Sequence, residues 1–187
     1  MVDICQIHFL FFHQFCICCS KSKLIFVLPY ENALPALPFP ILKITRRAAK
    51  IVMDSGCEIV IVPLDATHKA VMSLKDADEL EASGKKAAIA TANFIRHRQA
   101  GYKIWQPMAD IDTVPIHDAL AVCAVLNEGV LEDVRETYMD IDIADGAADG
   151  MSICDLDKRY PDRKPNVRVA LGANREIFSR MIKEIMC

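Results

Sequence analysis

Long apolar runs are what this 187-residue sequence has least of. A helix that spans a bilayer takes about 20 consecutive apolar residues. The best candidate, residues 7–19, is shorter and is interrupted by His13 and Gln14. It also makes a poor signal peptide, because Asp3 stands where a basic start belongs and no small-residue cleavage site follows. No membrane association is therefore expected, and a cytoplasmic location fits. Charge runs are equally scarce. The 22 basic and 25 acidic residues are interspersed and net to −3, which leaves no footprint for nucleic acid. With only 7 glycines there is no Gly-rich phosphate loop, and no internal repeat is visible. A second paired cysteine motif is missing too. Cys5, Cys16, Cys18 and Cys19 crowd the start, while Cys57, Cys123, Cys154 and Cys187 are scattered singly, a pattern of free thiols in a reducing compartment. A metal site from Cys16, Cys18 and Cys19 with His8 and His13 would lack the second ligand pair that zinc sites carry.

What is present is an alternation of helix and strand from about residue 44. Residues 1–43 differ in composition, with four prolines within residues 29–40 that exclude a helix or a central strand there. They are read as an atypical, poorly packed N-terminal extension or a mistranslated piece. Residues 44–187 are read as an α/β domain. Apolar residues at 48, 49, 52 and 53 predict a helix over residues 46–55, stopped by Gly56. The β-branched run over residues 58–64 predicts a buried parallel strand. Asp65, Ala66, Thr67 and His68 follow at its C-terminal end, where open α/β sheets place ligands. Thr67 and His68 either face a site or orient the next segment, and neither is assigned a role.

Further on, helices are expected over residues 75–83 and 86–99, then a loop over 101–113 carrying Tyr102 and the single tryptophan, Trp105. A half-buried strand is predicted over 136–143 from the alternation of Thr137, Met139, Ile141 and Ile143. An acidic turn over 145–150 only loosely resembles a calcium loop. Short strands over 151–155 and 166–171 precede a last helix, capped by Asn174 and striped with Ile177, Phe178, Met181, Ile182 and Ile185. The fold class is therefore α/β, an open and mostly parallel sheet with flanking helices.

The chemistry concentrates at Val114-Pro115-Ile116-His117-Asp118. Pro115 favours extended backbone before it. Residues 119–126 (ALAVCAVL) are apolar all round and predict a buried helix. Asp118 at that helix start is stabilised as an anion by the exposed N–H groups. It either caps the helix or offers a fixed carboxylate to a hard cation such as Ca²⁺. His117 can exchange a proton near neutral pH.

The run PIHDALAV, with IVIVPLDATHKAV at residues 59–71 and PNVRVA at 165–170 before the amphipathic terminal helix, resembles the C-terminal part of an inosine–uridine-preferring nucleoside hydrolase. The similarity runs from about Arg46 to Glu184. It implies hydrolysis of the N-glycosidic bond of a purine or pyrimidine ribonucleoside, with a bound Ca²⁺ holding the ribose and the attacking water. On that resemblance Asp118 matches a metal ligand and His117 the histidine that protonates the leaving base. The segment ahead of the pair matches a mobile flap that brings aromatic side chains over the base. A nucleoside substrate and a homo-oligomer are the implied partners.

The family's D-x-D-x-x-x-D-D run, which supplies the general base and further metal ligands, occurs nowhere in this sequence. Where an E-F-N run should grip the ribose the chain reads PILKIT. As written, the polypeptide is expected to be incomplete and inactive alone. The alternative is a non-catalytic α/β fragment or pseudoenzyme acting by association.

Overall fold

The computed structural model describes residues 10–12, 15–20, 23–28 and 40–187, with side chains from Arg46 onward. The other positions of the expected extension, among them Cys5, His8, His13 and three of the four prolines, lie outside the described residues, as do the side chains of Cys16, Cys18 and Cys19. The chain divides into two compact units, Met1–Pro63 with Val134–Leu171, and Leu64–Asp133 with Gly172–Cys187.

The first unit is built on a sheet. Strands β1 (Leu10–Phe12), β2 (Phe15–Ser20) and β3 (Lys23–Leu28) pair antiparallel in succession. β3 then pairs in parallel with β4 (Glu58–Pro63), from Lys23 opposite Glu58 to Leu28 opposite Pro63. On its other side β4 is parallel to β10 (Val167–Ala173), and β7 (Leu131–Thr137) completes the order β1-β2-β3-β4-β10-β7. A strand covered on both faces needs apolar side chains without alternation. Ile59, Val60, Ile61 and Val62 meet that need, each no more than 2% exposed. The strand expected over 58–64 is thus central, and the expected α/β class holds.

Helix α1 (Pro40–Met53) begins at a proline, whose missing N–H costs nothing in a first helical turn. It starts six residues before the position that the apolar spacing predicts. Gly56, at φ +73°, turns the chain into β4. Ala49 and Met53 of α1 share one buried cluster with Ile59 and Ile61 of β4, Val167 and Val169 of β10, and Met139 and Ile141 of β8 (Met139–Ile141).

One expectation changes in this unit. The strand predicted over 136–143 is two strands, broken at Tyr138. Polar anchors hold the break: Thr137 Oγ1 donates to the Asp155 carbonyl at 2.7 Å, and Asn166 brackets Met139, accepting from its N–H at 2.8 Å and donating to its carbonyl at 2.9 Å. β8 turns back instead to pair with β9 (Ser152–Cys154). The acidic turn falls where expected, and its carboxylates meet a cation of the fold. Asp145 and Asp149 both pair with the guanidinium of Arg46, which is only 5% exposed on α1. Neutralising a buried cation accounts for those carboxylates.

The second unit is mostly helical. α2 (Leu64–Thr67) leads to β5 (Val71–Ser73), which pairs antiparallel with β6 (Thr113–Pro115). Between these strands run α3 (Leu74–Ala82) and α4 (Lys86–Trp105); α5 (His117–Leu126) and α6 (Arg175–Met186) follow. Among the described residues no helix is long and apolar enough to cross a membrane. The structure corrects the loop expected from residue 101: α4 continues to Trp105, so Tyr102 and Trp105 are helical. Glycine in a helix interior costs about 1 kcal/mol. Two long-range bonds beside Gly101 offset it. The buried Gln99 donates to the Ile111 carbonyl at 2.5 Å, and Arg98 Nε donates to the Pro115 carbonyl at 3.0 Å.

Asp76 ties three elements of this unit together. Ser73 and Asp76 form a capping box at the start of α3. The same carboxylate accepts from Ser179 Oγ at 2.9 Å and pairs with Lys183 at 2.6 Å, both on α6. Burial alone would raise the Asp76 carboxyl, but the bonds from Lys183, Ser73 and Ser179 outweigh it and hold the group well below the usual carboxylate range. Its stabilisation is therefore complete above the unfolded value near 3.8 and drains away as pH falls toward the folded value. Asp76→Asn keeps the shape and removes the charge. In urea at pH 7 it is expected to cost about 2–4 kcal/mol, with the gap to wild type closing below about pH 4. A gap that stays constant down to pH 2 would show that the charge contributes nothing.

Candidate active site

His117 is the first residue of α5 and follows directly on β6 and Ile116. Leu120, Ala121, Cys123 and Ala124 are buried and anchor the helix as the apolar run predicts. The cap reading of Asp118 does not hold, because Ile116 is the N-cap and no side chain closes the helix end. Asp118 is exposed and makes no side-chain hydrogen bond or ion pair among the described residues.

The His117 ring sits in a line of polar groups drawn from α2, α4 and α5. Arg98 Nη2 donates to the Tyr102 hydroxyl at 3.5 Å, and that hydroxyl lies 2.9 Å from His117 Nε2. On the opposite side His117 Nδ1 lies 2.8 Å from Thr67 Oγ1, and the Thr67 hydroxyl reaches the Leu64 carbonyl at 3.5 Å. The Arg98 guanidinium also rests over the Tyr102 ring, 5.2 Å from its centre. His68 stands beside them, its ring centre 5.8 Å from that of His117, and its buried Nε2 has no hydrogen-bond partner.

Burial pushes the His117 imidazole down to about 4, helped by the Arg98 charge and by His68. Burial likewise lowers His68 against the pull of Asp65. It raises the Tyr102 phenol, with Arg98 opposing. Near neutral pH the cluster therefore holds two neutral imidazoles, a phenol and one fixed positive charge. Such a site favours negative charge developing on a neighbouring group and can pass a proton to it.

Sequence reasoning found His117 but assigned nothing to Thr67 and overlooked Arg98. A pattern was available for Arg98, which lies one helical turn before Tyr102 on the same face of α4. Of the two aromatic candidates Tyr102 joins the site, whereas Trp105 is 86% exposed and does not. An apolar cavity of about 340 Å³ in the same unit, lined by Met72, Phe94, Ile95, Ile116, Ile182 and Met186 among others, contains no titratable side chain.

Ca²⁺ takes about 6–8 oxygen ligands. Asp118 offers one carboxylate, and among the described residues no group of three or more His, Cys, Asp and Glu side chains could hold a metal ion.

This chain belongs to the inosine-uridine preferring nucleoside hydrolase family, whose model matches residues 46–180. Among its relatives, a probable ribonucleoside hydrolase of Dictyostelium discoideum is 27% identical over 155 residues, which cover 80% of this chain and 44% of that one. The pyrimidine-specific ribonucleoside hydrolase RihA of Shigella boydii is 26% identical over 153 residues, 82% of this chain and 48% of its own length. In fold the chain is similar to a purine-preferring ribonucleoside hydrolase from Gardnerella vaginalis, with a TM-score of 0.62 and 21% identity over 74% of this chain and 44% of that one. The chain spans about half the length of the curated relatives it matches.

The site sets a pH window. An unfolded histidine takes a proton near 6.5, whereas folded His117 refuses it until about 4. Its contribution to stability is thus complete above 6.5 and falls as pH drops toward 4. In a proton NMR titration the His117 ring signals should stay constant from pH 8 to 5.5 and move with a midpoint near 4. A midpoint at 6 or above would mean that the ring is open to water.

Proposed function

We propose that the whole protein hydrolyses the N-glycosidic bond of ribonucleosides and that this part of it handles the proton of the leaving base. The observation that carries the reading is His117 held between Thr67 and Tyr102 with Arg98 behind, in a chain of this family. When the bond to ribose breaks, the base departs with the bonding electrons and needs a proton on a ring nitrogen. Tyr102 and His117 act as a pair. At rest the Tyr102 O–H lies against Nε2 of His117; as the glycosidic bond breaks the hydroxyl turns its proton from Nε2 to the leaving base, and the phenolate that remains sits against the Arg98 guanidinium. Asp118 contributes one carboxylate toward a Ca²⁺ site that the described residues do not complete. The free thiols at Cys57, Cys123, Cys154 and Cys187 suit a reducing compartment such as the cytoplasm.

The single carboxylate also favours a second reading, a non-catalytic member kept for association. Chain 1–187 alone is expected to release no base from inosine or uridine, with or without Ca²⁺; metal-dependent ribose release by this chain would overturn that assignment. In a protein joined to the missing acidic cluster, Asp118→Asn should weaken Ca²⁺ binding and slow every nucleoside alike. His117→Ala and Tyr102→Phe should each cost about 10²–10⁴ in turnover of natural nucleosides. They should scarcely affect a nitrophenyl riboside, whose leaving group needs no proton. Equal losses on both substrate types would rule out the leaving-group role.

A further inference from the structure

We infer that Thr67 is a positioning residue that fixes His117 as the tautomer protonated on Nδ1, leaving Nε2 bare toward Tyr102. Its use in catalysis rests on the hydrolase reading above; the tautomer itself does not. The argument is one of direction along a hydrogen-bonded line. A guanidinium can only donate and a backbone carbonyl can only accept. Arg98 therefore takes a lone pair of the Tyr102 oxygen and frees the phenolic O–H to point at His117 Nε2, 2.9 Å away. At the far end the Leu64 carbonyl accepts the Thr67 hydroxyl proton, so the Thr67 oxygen is left to accept from Nδ1–H at 2.8 Å. The Thr67 end sets this sense, and the Arg98 end is compatible with it.

Burial makes the assignment strict. Thr67 has 0% relative exposure, so its oxygen has no water to turn to. α2 is a single turn in which Ala66 and Thr67 are both buried. His68 does not compete for Nδ1, as its ring meets His117 by tilted contact at 5.8 Å and makes no hydrogen bond to it. The consequence reaches the site through His117. A bare Nε2 accepts, which keeps the Tyr102 hydroxyl oriented. A protonated Nε2 would donate to Tyr102 and turn the phenolic proton elsewhere.

The test uses the whole chain 1–187, labelled with ¹⁵N-histidine and observed by long-range ¹H–¹⁵N correlation at pH 7, with a His117→Gln variant to assign the ring. No substrate is involved, so the outcome is separate from whether the protein hydrolyses nucleosides. Wild type is expected to show His117 protonated on Nδ1. Thr67→Val, of nearly equal shape, should shift the tautomer ratio about tenfold toward Nε2–H, the worth of one neutral hydrogen bond. Thr67→Ser should restore the wild-type spectrum. Should Thr67→Val fail to fold, Thr67→Ala, which also removes the hydroxyl, is read the same way. An Nε2–H ring in wild type, or an unchanged Nδ1–H ring in Thr67→Val, overturns the inference.

Discussion

A neutral imidazole out of water must be given a donor on one side and an acceptor on the other, and this requirement organises the second unit. His117 meets it with Tyr102 and Thr67, and each partner is itself held. Tyr102 reaches the ring because α4 stays helical past Gly101. That continuity depends on Gln99 and Arg98 gripping the segment that leads into His117. Thr67 reaches it from the last position of the single turn α2, where its side chain is fully buried. Arg98 serves twice, tethering the Pro115 carbonyl and placing its charge by Tyr102 and the ring. The network is local to one unit and is drawn from segments 50 residues apart in sequence.

How much of this was legible follows from what each signal encodes. The β-branched run of β4 reads unambiguously, since burial on both faces leaves no room for polar alternation. The start of α5 is also plain, for Pro115 forces extended backbone and the apolar octet after it demands a covered helix. Asn174 caps α6 as its side chain type predicts. The end of α4 was hidden. Local propensity sees Gly101 and stops, whereas the helix is prolonged by side chains that bond to residues 12 and 17 positions away. The role of Thr67 was hidden for the same reason. A threonine beside a histidine looks like a capping or turn residue, and nothing in its neighbours announces a partner 50 positions on.

Asp118 and the acidic turn both invite a calcium reading, yet they differ in kind. Asp145 and Asp149 are consumed by Arg46, a cation already inside the first unit. Asp118 has no such partner among the described residues and stands exposed at a helix start, where an anion is favoured. Relatives named for pyrimidine and for purine substrates both share this fold at about a quarter identity or less.

Trp105 has an optical consequence. It is the single tryptophan of the chain, the last residue of α4, and almost wholly in water in the folded state. Its emission is already that of a solvated indole, so melting the protein alters its surroundings very little. Intrinsic fluorescence is thus a poor gauge of unfolding here and a good one of anything that covers the end of α4, three residues from the phenol that touches His117.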